Sequence, residues 1–422
     1  MLATLQKILR PVRGVFLRNF LNLFFNQFTN ILVALLVTPV LYQRLGEASY
    51  GLVQLGLSVV LLCSIGVSYG YHLNAPKRLA LLEDRSAATG KLLNELIATR
   101  LFIALLLAFL LFGAAFFFGF FKTYRSILYG SLILLFSEAL FPMVYFQGKD
   151  RLSWLSIANF LAKISYLLLV LCFVAGPSEA PYVNTFFGVG ALWVYLLFWR
   201  LIYRRENIAW AWVRWERIQY RLRENVQFFL SSVAGHVSIH GGIIILSGFV
   251  SHTQLGKYAL AQRIALLMRM VPIFFIQAIL QKAAVLSQQD PLHYRQTLRR
   301  LFRAGLLLSL AAGILVALTA RWIIYLLAGD YVPYSEGILQ LLAFVPFVSM
   351  LNFHNMIHIL VTENKNLLNK ATWITALWML LTALAGSHYY GGYGLAIALL
   401  LTELVSVAVH SLLLSNQAHA QR

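Results

Sequence analysis

Residues 101–121 read LFIALLLAFLLFGAAFFFGFF, twenty-one positions without a charge. An α-helix rises about 1.5 Å per residue, so about 20 apolar residues cross the hydrocarbon of a bilayer. A helix of this sequence has no polar face to turn to water and reads as a membrane span. Working outward, the apolar run starts near residue 93. A span over 93–121 is longer than the bilayer needs, so it is expected to tilt or to leave the bilayer at its ends.

The same reading along the chain gives twelve spans, at 19–42, 50–72, 93–121, 126–147, 154–175, 182–203, 226–250, 258–281, 304–327, 337–361, 369–387 and 393–414. Composition agrees: of 422 residues, 60% are hydrophobic and 12% charged, with a mean hydropathy of +0.74. That excludes an ordinary soluble domain, a disordered chain, a collagen-like chain and a disulfide scaffold. No polar stretch is long enough for a separate soluble domain. The spans must be helices, because an open strand would leave backbone groups unsatisfied in lipid. Cys63 and Cys172 sit in apolar runs and make no metal motif, so they read as small hydrophobes.

The net charge of +19 is a topology signal. Loops on one side carry 24 lysines and arginines, from Lys7, Arg10, Arg13 and Arg18 at the start to Arg422 at the end. The other side carries Arg44, Lys122, Arg125 and Lys257. The positive-inside rule then places both termini in the cytoplasm, and no nucleic-acid partner follows from the charge. The basic first eighteen residues lack a small-residue cleavage site and read as an uncleaved cytoplasmic amphipathic start. Segment 204–223 interleaves Trp210, Trp212, Trp215 and Tyr220 with six arginines, which suits an interfacial helix on anionic membrane lipids. A plain connecting loop is the alternative.

An internal echo divides the chain. Leu45-Gly46 precedes Tyr50-Gly51-Leu52-Val53-Gln54, and Leu255-Gly256 precedes Tyr258-Ala259-Leu260-Ala261-Gln262. Six spans separate the copies, so the repeat is parallel. The expected fold is an all-α polytopic membrane protein, with about twelve transmembrane helices in two parallel-repeat six-helix bundles around a central cavity. An N-terminal lobe 1–203, a basic Trp-rich cytoplasmic linker 204–225 and a C-terminal lobe 226–422 follow.

Polar groups inside the spans are costly and therefore informative. At 100° per residue, Asn19, Asn22, Asn26 and Asn30 share an arc of span one, and Ser156, Asn159 and Lys163 share a face of span five. Tyr258, Gln262 and Arg269 align on span eight, and Glu403, Ser406 and His410 on span twelve. Such stripes line a hydrated lumen or join helices by hydrogen bonds; four stripes from both halves favour the lumen. Glu138, Lys163, Arg263, Arg269 and Glu403 lie near mid-depth, and their cationic excess favours an anionic ligand. Arg263 is shallower than Arg269 and able to snorkel, and Lys163 is a candidate partner for Glu138. Arg100, Arg200 and Arg321 lie near span ends, where snorkelling explains them. His236/His240 and His354/His358 sit at i, i+4, but no carboxylate lies beside them as in a zinc motif. They read as lumen-lining or hydrogen-bonded, with His240 a further proton carrier. Gly241-Gly242 would let span seven bend. No cofactor or metal is expected.

The chain resembles the Wzx-type polysaccharide biosynthesis and export proteins, the O-antigen flippases of the superfamily that includes multidrug extruders and lipid II flippases. The matching stretches are Asn19–Gly51, Gly66–Arg78, Phe146-Gln147-Gly148, Leu255–Arg263 and Gly329-Asp330-Tyr331. The resemblance implies a multi-pass protein of the bacterial inner membrane that flips an undecaprenyl-pyrophosphate-linked glycan and has a cationic lumen. Association with polysaccharide polymerase machinery belongs to the same expectation. A flippase needs no catalytic residue, so the chain is not expected to be an enzyme. The expected substrate contacts are Arg269, with Arg263 and Lys163, for the phosphates, and Asn26, Asn30 and Gln262 for sugar hydroxyls. Proton or sodium coupling would fall to Glu138, Glu403 or His240. The competing readings are a cationic-drug antiporter of the same superfamily, which would want an anionic lumen, and a polyprenyl-linked glycosyltransferase. The latter would want a large outer loop with paired acids.

Overall fold

In the computed structural model, residues 2–82 and 86–420 are described, with side chains from 29 to 417 apart from 73, 83–85, 231, 278 and 281. The elements are α1 (Leu2–Ser68), α2 (Tyr71–Leu81), α3 (Ser86–Phe117), α4 (Arg125–Ser131), α5 (Ile133–Ala139), α6 (Met143–Gly148), α7 (Leu152–Phe173) and α8 (Ala180–Arg205). There follow α9 (Trp215–Leu246), α10 (His252–Met268), α11 (Met270–Gln289), α12 (Pro291–Ala328), α13 (Pro333–Leu342), α14 (Val345–Met350), α15 (Phe353–Val361) and α16 (Lys365–Ala420). No strand occurs among the described residues.

Among the described residues eight helical stretches are long and apolar enough to cross a membrane, or ten if two bent pairs each count as one span. The expected twelve is reached only by also dividing α1 and α16. At about 1.5 Å per residue, α1 and α16 would run about 100 and 84 Å, far beyond one bilayer. Each is broken at one glycine: Gly46 at φ 76, ψ 166, and Gly391 at φ 57, ψ −133. These conformations are essentially closed to residues with a Cβ.

Prolines break other spans. Pro142 parts α5 from α6, Pro272 lies just past the α10–α11 break, and Pro346 opens α14. A proline lacks an N–H, and its ring crowds the carbonyl four residues back. Pro142 and Pro346 sit in the same local pattern, Ala139-Leu140-Phe141-Pro142-Met143-Val144 and Ala343-Phe344-Val345-Pro346-Phe347-Val348. The bend expected at Gly241-Gly242 does not occur there: α9 runs through both glycines, and its bent pair is Trp215–Leu230 with Ser232–Leu246.

The chain divides into two compact units, residues 1–40 with 60–233 and residues 41–59 with 234–422. In the first, α8 packs on α4, α5 and α7, and α2 on α6. Its core gathers Tyr71, Leu79, Leu93, Leu96, Tyr145, Ala158, Val194 and Phe198. In the second, α10 packs on α13, α11 on α12 and α15, and α13 on α16. There Ile279, Ala283, Leu298, Met350, Phe353 and Ile357 form a core. The echoed Leu-Gly stretches pack on each other within this second unit. A Cβ on Gly256 would lie 1.9 Å from the carbonyl oxygen of Glu47, and one on Gly51 would lie 2.6 Å from the nitrogen of Gly256. Beside that crossing Lys257 pairs with Glu47 at 3.2 Å, and Tyr50 and Tyr258 are both fully buried.

Candidate functional site

In the first unit the break at Pro142 organises the polar chemistry. It leaves the Leu140 and Phe141 carbonyls past the end of α5 without backbone donors, while the Glu138 carbonyl keeps the Phe141 N–H at 3.2 Å. Arg100, from α3, donates to the carbonyl oxygens of Glu138 and, at 3.2 Å, of Phe141. The same guanidinium pairs with the Glu138 carboxylate at 3.2 Å. Trp199 on α8 donates its indole N–H to the Leu140 carbonyl at 2.6 Å. Two expectations are corrected here. Arg100 does not snorkel; its side chain is 8% exposed. Glu138 pairs with Arg100 rather than Lys163, because the freed carbonyls draw the multidentate donor to that depth. The ammonium of Lys163 instead lies 4.0 Å from the centre of the Phe187 ring, a cation–π contact.

The polar faces of spans one and five meet: Asn159 donates its side-chain amide to Asn30 at 3.2 Å. Asn26, with Asn19 and Asn22, lies outside the described side chains.

At the loop end of this unit is an ion-pair group that span-by-span reading missed. Arg221 on α9 pairs with Glu95 on α3 at 2.7 Å and with Glu224 at 2.9 Å, and Arg78 on α2 closes on Glu224. That carboxylate raises the Arg78 guanidinium above its ordinary pKa. Asn74 donates to Asn225 at 2.6 Å. The Glu95 side chain is only 4% exposed. The sequence signal was present: a carboxylate three residues inside span three needs a cation, and the basic stretch after span six supplies one. The interfacial helix expected over that stretch begins only at Trp215; residues 208–214 are irregular.

In the second unit Arg269 sits at the junction of α10 and α11, three residues before Pro272. Its backbone N–H still bonds the Ala265 carbonyl at 3.0 Å, and its guanidinium pairs with Glu403 of α16. The Arg269 side chain is 31% exposed and that of Glu403 11%. Further along α16, Ser406 and His410 meet α14–α15: Asn352 lies 3.3 Å from the Ser406 hydroxyl and from His410 Nδ1. The stripe on α16 is thus joined to neighbouring helices, as the stripes on spans one and five are joined to each other. Gln262 and Arg263 are half-buried, with no hydrogen-bond or ion-pair partner among the described residues. His236 and His240 face each other with ring centres 6.3 Å apart. No group of three metal-ligating side chains occurs among the described residues.

The site residues thus fall in two sets: Glu138, Lys163 and Asn30 in the first unit, and Arg269, Arg263, Gln262, Glu403 and His240 in the second. Both candidate carboxylates, Glu138 and Glu403, are held by arginine.

Known proteins match along nearly the whole chain. A curated relative from Shigella dysenteriae, named "Putative O-antigen transporter", is 24% identical over 398 residues, 92% of this chain and 98% of its own. Among solved structures, an inward-facing multidrug resistance MATE family transporter of the MOP superfamily superposes with a TM-score of 0.71 at 14% identity, over 90% of this chain and 93% of that one. The lipid II flippase MurJ in an inward closed conformation gives a TM-score of 0.71 at 14% identity, over 93% and 86%. The many-helix membrane fold is therefore shared with these transporters. The family model described as "Polysaccharide biosynthesis protein" matches residues 16–281, well over half of the sequence, and the chain belongs to that family.

Proposed function

We propose that the chain is a flippase that carries an undecaprenyl-pyrophosphate-linked oligosaccharide across the bacterial inner membrane by alternating access, with both termini cytoplasmic. The family and the named relative support the substrate class, and the fold supports the mode of action. The observation that carries the reading is the state of Arg269. A charge at the bilayer centre costs about 2.5–3.5 kcal/mol or more if lipid-facing. Here an arginine stands at a break in an apolar helix, held by one carboxylate and still partly open. Glu403 meets the guanidinium through one oxygen; a diphosphate can offer its planar fork two, with more charge.

Substrate and Glu403 would then compete for Arg269. A proton taken up by Glu403 would release the guanidinium, and an arriving diphosphate would take its place. Within the second unit Arg263 adds cationic support and Gln262 suits sugar hydroxyls; in the first unit Lys163, Asn26 and Asn30 are separate candidate contacts of the same kinds. Glu138 and His240 are secondary carriers in this scheme. The test is Arg269→Ala, read as delivery of glycolipid to the outer leaflet at matched protein level. Delivery is expected to be lost, and normal delivery would remove Arg269 from the site.

The second reading, a cationic-drug antiporter, is favoured by the shared fold with a multidrug transporter. It needs an open carboxylate for the drug cation. Glu138 and Glu403 are each engaged by an arginine, which favours the anionic substrate.

A further inference from the structure

At the loop end of the first unit lies a cleft of about 600 Å³ between the start of α3 and the irregular stretch before α9. Its floor is fixed by part-buried hydrogen bonds. Asn94 donates to the Ala209 carbonyl at 3.1 Å and accepts from the Tyr203 hydroxyl. Three of its lining side chains are the cations Lys91, Arg214 and Arg217, all exposed. Among the described residues none of the three has an ion-pair partner, while the lining carboxylate, Glu95, is already neutralised by Arg221. The cleft is therefore electropositive.

One turn deeper along α3, from Asn94 to Ile97 and Leu101, an apolar groove of about 280 Å³ begins. Leu140, Leu196 and Trp199 line it, the exposed Arg200 flanks it, and Tyr203 and Trp210 form the rim beside the cleft floor. At this end three indoles stand outward: Trp212 is 93% exposed, Trp210 52% and Trp215 47%. Exposed indoles among arginines belong at the headgroup level of a bilayer. Going inward along the helices, the order is cation cleft, amphipathic rim, apolar groove. That is the order of charges in a phospholipid, from anionic headgroup through glycerol ester to acyl chain.

We propose that cleft and groove together bind one anionic glycerophospholipid from the leaflet facing this end of the unit. Its phosphate sits among Lys91, Arg214 and Arg217, and an acyl chain lies along Ile97 and Leu101. The bound lipid would tie the irregular stretch 208–214 to α3. The site is separate from Arg269 and does not depend on the flippase reading.

The experiment uses the full-length protein in neutral detergent, titrated with short-chain phosphatidylglycerol, with phosphatidylcholine of the same chain length, and with glycerol phosphate. Thermal unfolding is the readout. Phosphatidylglycerol is expected to raise the melting temperature saturably, and the other two are not. Combined Lys91→Gln, Arg214→Gln and Arg217→Gln is expected to weaken the apparent affinity on the order of a hundredfold, each surface cation near anionic lipid contributing a several-fold effect. Leu101→Trp, which fills the groove and leaves the charges, is expected to abolish the shift as well. An equal response to phosphatidylcholine, a full response to glycerol phosphate, or an unchanged titration in either variant would overturn the proposal.

Discussion

Arg100→Met would show what holds the broken span together. The guanidinium of Arg100 serves three acceptors: the carbonyls of Glu138 and Phe141 and the Glu138 carboxylate. Methionine keeps the stem volume and removes every donor. A buried carbonyl left bare costs about 1–3 kcal/mol. Only the Phe141 carbonyl is left bare, since the Glu138 carbonyl keeps the Phe141 N–H; with a part-exposed carboxylate deprived of its counter-charge, the loss is put at about 2–3 kcal/mol. Glu138→Gln is expected to be milder, about 1 kcal/mol. Its side chain is 34% exposed, and the amide oxygen still accepts while both backbone bonds to Arg100 survive. Pro142→Ala is expected to relieve part of the Arg100→Met loss, because the restored N–H at 142 gives the Glu138 carbonyl a second donor beside the Phe141 N–H, in place of the lost guanidinium. Unfolding of the purified variants in one detergent, followed by Trp fluorescence, measures all three. If Glu138→Gln destabilises as much as Arg100→Met, or Pro142→Ala gives no relief, then Arg100 is a counter-charge and not a cap for the break.

Two further outcomes follow from other parts of the molecule. Gly46→Ala is expected to cost about 1–3 kcal/mol through backbone strain alone, since no atom lies within 4 Å of the added Cβ; Gly46→Asn is expected to do no better, because φ 76 with ψ 166 is not the left-handed helical region that asparagine tolerates, and a neutral result for either in an unfolding titration would contradict the geometry. Glu403→Gln keeps the shape of the partner of Arg269 and removes its charge; glycolipid delivery is expected to persist but to lose its sensitivity to an uncoupler, and retained sensitivity in that assay would take Glu403 out of the coupling scheme.

Much of this was legible in the residues, for physical reasons. Hydropathy marks spans because lipid tolerates no bare backbone. Angular placement at 100° put Asn30 on a polar stripe, and Asn30 meets Asn159; it put Ser406 on another, and Ser406 meets Asn352. Ion-pair assignment was less legible. Hydropathy put Arg100 at a span end and suggested Lys163 for Glu138, since depth along a tilted helix is not readable from one sequence. The decisive cue was Pro142. A proline inside a span interrupts the backbone ladder, and neighbouring helices bring donors to the carbonyls beside the break, as Trp199 and Arg100 do for Leu140 and Phe141. The linker also escaped: Arg221 and Glu224 looked like part of a charge run, yet they pair with Glu95 and Arg78 from α3 and α2.

The prolines also separate two arginines that composition alone treats alike. Arg100 and Arg269 each lie by a proline break in an apolar span, and each holds a carboxylate. Arg100 is committed to backbone carbonyls, whose acceptor character no proton or ligand can remove. Arg269 has no such tie: the helix beside it completes its own bond through the Ala265 carbonyl, so the guanidinium answers to Glu403 alone among the described residues. A carboxylate can be neutralised by a proton or outcompeted by a phosphate; a carbonyl cannot. Exposure follows the same division, 8% for Arg100 against 31% for Arg269. An arginine whose one partner is titratable and whose face is partly open can exchange ligands without unfolding the helix that bears it. That property is the ground for proposing Arg269, and not Arg100, as the residue that binds a transported anion, while Arg100 ties a broken span to its neighbour.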